Sequence, residues 1–227
     1  MKIIHLLVVL ALAFSPSLAA GEVELDPAES VLAVITHKAG IAAKKAHNHL
    51  IAAPVSEAKL SFDPAEPMNA SFRLDFAAEQ LAVDPWDLEQ TWYPRLETLG
   101  ILDEPFTEIA DKDRQKIRKS MLSDDQLDAA KFPRISAEVT RLEEGASTHG
   151  GVEFPYSAKL RFNVHGQNVE KTVAARYELE GAILKVEALG TFQFTEFGIE
   201  PFSAFFGAVK NEDGFHLYLN LAGTVAP

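Results

Sequence analysis

The sequence predicts an all-β chain whose strands close into an eight-stranded antiparallel barrel, interrupted once by a helical insertion. Three observations carry that expectation. Apolar and polar residues alternate with period two through most of the chain. Short spacers containing Gly or Asn separate the alternating runs. One stretch, 84–131, loses the alternation and gains charge. Eight or nine strands, each with one apolar face, are best satisfied by closure, which leaves no open edge. A packed two-sheet sandwich has the same cues and stands as the alternative architecture.

The elements follow in chain order. Met1 and Lys2 give a short basic start, and Ile3–Phe14 is apolar apart from His5. Pro16 breaks the run, and Ser17 and Ala19 fit the small-x-small pattern for cleavage after Ala19. The apolar run falls short of the ~20 residues that span a bilayer. Residues 1–19 are therefore expected to be a secretory signal peptide, and 20–227 a single barrel domain exported to the periplasm.

Four strands are expected in the N-terminal half, at 31–38, 47–53, 55–63 and 69–77. In the last of these Phe72, Leu74 and Phe76 share one face against Arg73 and Asp75. The insertion follows. Asp84 before Pro85 reads as an N-cap with proline at the first helical position. Trp86, Leu88 and Trp92 give partial helical spacing, and Pro94 should bend or end that helix. A second helix should begin at Glu104-Pro105 and run through Ile109 and Ile117 to Met121, with Ser123-Asp124-Asp125 capping a short third turn. The insertion is too short and polar for a core of its own, so its Trp86, Trp92 and Tyr93 are expected to pack on the barrel wall. A strand at 133–143 comes next. A meander closes the chain, roughly 153–165, 168–180, 182–195 and 212–225, with turns at His165–Asn168, Gly181 and Glu212–Gly214. "FSAFFGAV", bracketed by Gly198 and Gly207, breaks the alternation and reads as a loop over a barrel mouth.

Composition narrows the function. No cysteine is present, so neither disulfides nor thiolate chemistry contribute. Hydrophobic residues make up 47%, enough for a sizeable core. The net charge of −12 becomes −13 once Lys2 is removed, leaving 20 basic against 33 acidic residues. That charge repels phosphate backbones and argues against nucleic acid as a partner. Beyond the leader, no segment is apolar enough to cross a membrane. There is no G-x-S-x-G elbow, Gly-rich phosphate loop or EF-hand pattern. Asp124-Asp125 and Glu143-Glu144 read as solvated acids. No catalytic residues are readable, so the chain is not expected to be an enzyme or to carry a cofactor.

The histidines need weighing. In a strand over 47–53, His47 and His49 project to the same face as Ile51 and Ala53, the expected inner face. His37 ends the strand before and would lie across from them. Three readings stand: inward histidines held by internal hydrogen bonds, polar contacts to a ligand head group, or a metal site of His37, His47 and His49. In the second, a quinone carbonyl would accept from an imidazole N–H. His149, His165 and His216 lie near hairpin ends and read as solvated.

Several segments also carry a resemblance. "SVLAVITHKAGIAAKKAHNHLIAAPVSEAKLSFD" follows the leader. Met121-Leu122 precede "LDAAKFP" (Leu127–Pro133), and an aromatic-Gly-Ile-x-Pro run spans Phe197–Pro201. Together they resemble the YceI-like family of periplasmic polyisoprenoid-binding proteins, over most of the mature chain. The resemblance implies a lipocalin-like, eight-stranded barrel enclosing a long isoprenoid tail, such as that of a quinone or a polyprenyl lipid. "AHNH" and the long charged insertion depart from the family's usual pattern. The fifteen phenylalanines suit such a tail, although any single Phe is more often ordinary core. The expected ligand contacts are His37, His47, His49, Phe72, Phe194, Phe197, Ile199, Phe205 and Phe206. The expected function is a carrier for an amphiphilic lipid. Metal binding and a packed barrel acting as an interaction module are the alternatives. The oligomeric state is left open between monomer and dimer.

Overall fold

A computed structural model describes residues 21–226; the expected signal peptide lies outside the described residues. The strands are β1 (Gly21–Leu25), β2 (Val31–Ala39), β3 (His49–Ala52), β4 (Ala58–Phe62), β5 (Ser71–Ala77), β6 (Ala82–Val83), β7 (Arg134–His149), β8 (Val152–Val164), β9 (Gln167–Glu180), β10 (Ile183–Gln193), β11 (Ser203–Ala204) and β12 (Val209–Val225). Two helices, α1 (Trp86–Thr98) and α2 (Asp111–Met121), stand between β6 and β7. Eight strands form a closed antiparallel ring in the order β1-β4-β5-β7-β8-β9-β10-β12, and Val23 opposite Val225 joins β12 back to β1. Closure decides for the barrel over the sandwich. After the break at Asp26–Ser30, β2 continues along the same edge of β12 as β1 and carries β3 and β6 beside it. β1, β6 and β11 had no counterpart in the sequence reading. β6 and β11 have two residues each, too few to show a period.

Alternation holds in three dimensions. Leu32, Val34 and Thr36 of β2 face inward, while Val31, Ala33 and Ile35 face outward. On β12, Phe215, Leu217, Leu219 and Leu221 face inward, while Tyr218 faces outward. The barrel consequently has two apolar layers. The inner one includes Leu60, Phe62, Leu74, Phe76, Leu160, Phe162 and Phe192. The outer one joins Ile35, Leu50, Leu189 and Tyr218 to Leu96, Leu99, Ile101, Leu102 and Phe106 of the insertion. Trp86, Leu88, Trp92 and Tyr93 pack onto this outer layer, and the Trp92 and Tyr218 ring centroids lie 5.9 Å apart. The insertion thus borrows the outer barrel wall to complete a core. Gly150, at the β7–β8 turn, fits against its end. With φ at +55°, a Cβ there would lie 1.7 Å from the Thr98 carbonyl oxygen.

The helix boundaries differ from expectation. Pro94 lies inside α1, which continues to Thr98. α2 begins at Asp111 rather than near Glu104, and 122–131 forms turns. Asp84 does not cap α1, whose N-cap position is Pro85. Its carboxylate is taken up by β3 instead: Leu50 N–H donates to Oδ1 at 3.0 Å. β3 itself starts at His49, two residues later than the alternation suggested.

Candidate functional site

The inner faces of the strands do not meet in the middle. They enclose a cavity of about 290 Å³. Its wall includes Leu32 and Val34 of β2, Ile51 of β3, Phe72, Leu74 and Phe76 of β5, Leu160 and Phe162 of β8, and Leu217 and Leu219 of β12. A second chamber of about 90 Å³, nearer Tyr156 and Tyr177, shares Phe72, Leu160 and Leu219 with it. At the β3–β6 end, where β6 and β7 are not paired, α2 covers the space. Ile117, Ser120 and Met121, spaced i, i+3, i+4 on that helix, line the cavity, as do Gln126 and Leu127 beyond it. Polar ties hold this cover. Arg114 donates to the Asp84 carbonyl at 3.1 Å, Arg118 to the Glu79 carbonyl, and Gln126 to the Glu200 carbonyl at 3.0 Å.

The polar residues in the main chamber's wall are Thr36, His49, Ser120, Gln126 and Asn211. Thr36 and His49 are cross-strand partners on the inner face. Thr36 is 5% exposed, and its hydroxyl has no hydrogen-bond partner among the described residues. His49 Nδ1 lies 2.8 Å from Asp84 Oδ2. Asp84 is buried, with φ at +46°, and beside it is buried Glu89 of α1. Burial first, then the Asp84 carboxyl, pushes Glu89 up to about 8, although neither Glu89 oxygen meets a partner at full hydrogen-bond geometry. Glu89 is therefore protonated at neutral pH.

The structure separates the three histidines that the sequence grouped. His49 lines the cavity. His47 precedes β3 and is not in the cavity wall; burial, and then His49, lower its pKa. His37 follows Thr36 and so takes the outer face. Its Nε2 lies 2.8 Å from Nδ1 of His216, a histidine the alternation left solvated. Burial, then His37 and His149, push His216 down to about 4. Among the described residues, no group of three or more His, Cys, Asp or Glu could hold a metal ion. His165 is not free either; its Nδ1 lies 3.1 Å from the Phe197 carbonyl.

The aromatic candidates divide in the same way. Phe72, Phe194, Phe197 and Ile199 line the cavity. Phe205 and Phe206 do not: at 79% and 111% exposure they sit on the turn after β11, pointing into solvent. The sequence reading missed Thr36 and Asp84. Thr36 was legible as the one hydroxyl on the Leu32–Val34–Thr36 face. Asp84 reaches β3 only through tertiary folding.

The YceI-like domain pattern matches residues 24–221. The chain belongs to the YceI-like family. No curated protein matches it. The crystal structure of Burkholderia cenocepacia BcnA is similar at a TM-score of 0.59 and 12% identity, over 88% of this chain and all of that one. That likeness supports the fold. A polyisoprenoid-binding domain from Saccharophagus degradans shows a TM-score of 0.47 and 9% identity, over 92% of this chain and all of that one. The Campylobacter jejuni YceI protein also gives 0.47, at 11% identity, over 75% of this chain and 81% of that one. Among the described residues, no helix is long and apolar enough to cross a membrane.

Proposed function

We propose that this protein is a non-catalytic periplasmic carrier that holds an isoprenoid-type amphiphile, a quinone or a polyprenyl lipid, inside the barrel. The observation that carries the reading is the apolar cavity of about 290 Å³ continuing towards a second chamber. Its long aliphatic and aromatic wall suits a branched hydrocarbon tail with no polar atoms. A fully packed interior would have suited an interaction module better. Each methylene removed from water stabilises a complex by about 0.8 kcal/mol. Affinity should therefore climb with each isoprene unit until the cavity is full. The test is displacement of the apolar fluorophore N-phenyl-1-naphthylamine by prenols of increasing length, from geraniol through farnesol to geranylgeraniol. The expected result is one site and affinity that rises with chain length. Absence of displacement by every prenol overturns the reading.

A further inference from the structure

The cavity wall is mostly apolar, and at one place two of its five polar residues are paired across neighbouring strands. There Thr36 and His49 face each other across β2 and β3. Thr36 Oγ1 is buried without a partner, so it is not bonded to His49. A buried hydroxyl left unsatisfied is destabilising, and strands offer many apolar residues that would fit the same position. Its presence points to a group that arrives from outside the chain.

His49 defines what that group is. The two nitrogens of an imidazole have linked roles, and the bond made by one fixes what the other offers. Nδ1 lies 2.8 Å from the Asp84 carboxylate, which has no proton to give while ionised. Nδ1 must therefore be the donor. Asp84 also accepts from Leu50 N–H, which fixes its orientation. With Nδ1 donating to Asp84, the imidazole tautomer left at this site offers Nε2 as an acceptor, and His49 stands in the cavity wall.

We propose that Thr36 Oγ1 and His49 Nε2 form a subsite for a hydroxyl head group, such as a prenol or quinol O–H, in preference to a carbonyl. One ligand oxygen satisfies both partners: its O–H donates to Nε2, and its lone pair accepts from the Thr36 hydroxyl. A carbonyl oxygen accepts from Thr36 but sets its own lone pairs against those of Nε2. This reverses the polarity expected for a quinone carbonyl accepting from an imidazole N–H. The inference rests on the carrier reading and adds the chemistry of the head group.

The experiment compares three ligands sharing a similar tail: farnesol, farnesal and the hydrocarbon farnesene, each displacing N-phenyl-1-naphthylamine at pH 7. Farnesol should bind about 10- to 100-fold more tightly than farnesal, the range expected when a buried polar group is left unpaired. Thr36→Val and His49→Gln should each collapse that ratio to within a few-fold while farnesene affinity stays unchanged. Unchanged farnesene binding also shows that the variants are folded. Equal binding of farnesol and farnesal by the unaltered protein, or tighter farnesal binding, overturns the subsite but leaves the carrier reading standing. Failure of all three to displace the probe overturns both.

Discussion

The two faces of β2 and β12 are made of similar residues and end in opposite states. On the outer face, Ile35 and Tyr218, with Leu189 of the neighbouring β10, are fully or almost fully buried beneath α1 and the segment after it. The polar group at the centre of that layer, Glu187, is matched. The Tyr218 hydroxyl donates to Glu187 Oε1 at 2.8 Å, and Arg95 of α1 donates to the same carboxylate from Nε at 2.7 Å and Nη2 at 2.5 Å. On the inner face, Leu32, Val34, Leu217 and Leu219 border empty space, and the Thr36 hydroxyl has no partner. Close packing with satisfied polar groups is what a structural core requires. The inner face departs from that pattern on both counts.

That contrast can be broken or sharpened by substitution. The largest effect is expected on the outer face. Tyr218→Ala should remove an aromatic core residue, strip a donor from Glu187 and destabilise the protein by about 3–5 kcal/mol, read by urea denaturation. A loss below about 1 kcal/mol would mean the outer layer is loosely packed too.

The next effect is a pH dependence at the junction of the two layers. Glu89 has an ordinary value of 4.5 and is pushed up to about 8 in the fold. The folded state therefore holds a proton that the unfolded chain releases, so stability is fully present below about 4.5 and is lost as pH rises to about 8. His216 works in the opposite direction. Its value falls from 6.5 to about 4, so stability is lost as pH drops from 6.5 through about 4. Melting temperature should peak between these limbs. Glu89→Gln should flatten the fall above about 6.5 and leave the His216 rise uncovered below it, and an unchanged alkaline limb would remove Glu89 from the account.

Smaller effects are expected on the inner face. Thr36→Val should raise the stability of the ligand-free protein by about 1 kcal/mol, because it removes an unpaired buried hydroxyl. Ala137→Phe, which fills part of the chamber, should cost about 1–3 kcal/mol and abolish probe binding. A large stability loss would mean that little space is available at Ala137. The smallest effect is expected at the exposed turn. Phe206→Ser should change stability by no more than about 0.5 kcal/mol and leave ligand affinity unaltered.

Much of the fold was legible in the sequence because period-two alternation is a local signal. The runs around Leu160, Val173 and Leu219 reveal both the strands and their inner faces. What local patterns do not carry is where a polar side chain is used. Asp84-Pro85 has the form of a helix cap, yet the Asp84 carboxylate turns to Leu50 and His49 across the chain. His47 and His49 were grouped by strand parity and His37 by its place at the end of the strand before, but β3 starts only at His49, and Thr36 rather than His37 lies across from it, which leaves His37 to pair with His216. Phe194, Phe197 and Ile199 reach the cavity as expected, whereas Phe205 and Phe206 belong to a tight turn that projects them away. Phenylalanine content alone does not distinguish those outcomes; the positive φ angles of Phe205 and Phe206 belong to the turn itself.

The central claim is that the inner chamber is occupied by a lipid when the protein does its work. The most direct test is native mass spectrometry of the protein secreted into a bacterial periplasm and purified without detergent. The account predicts an extractable adduct whose mass steps by isoprene units, absent from Ala137→Phe. A bare protein mass for the unaltered chain, or an adduct that a chelator removes, would contradict it.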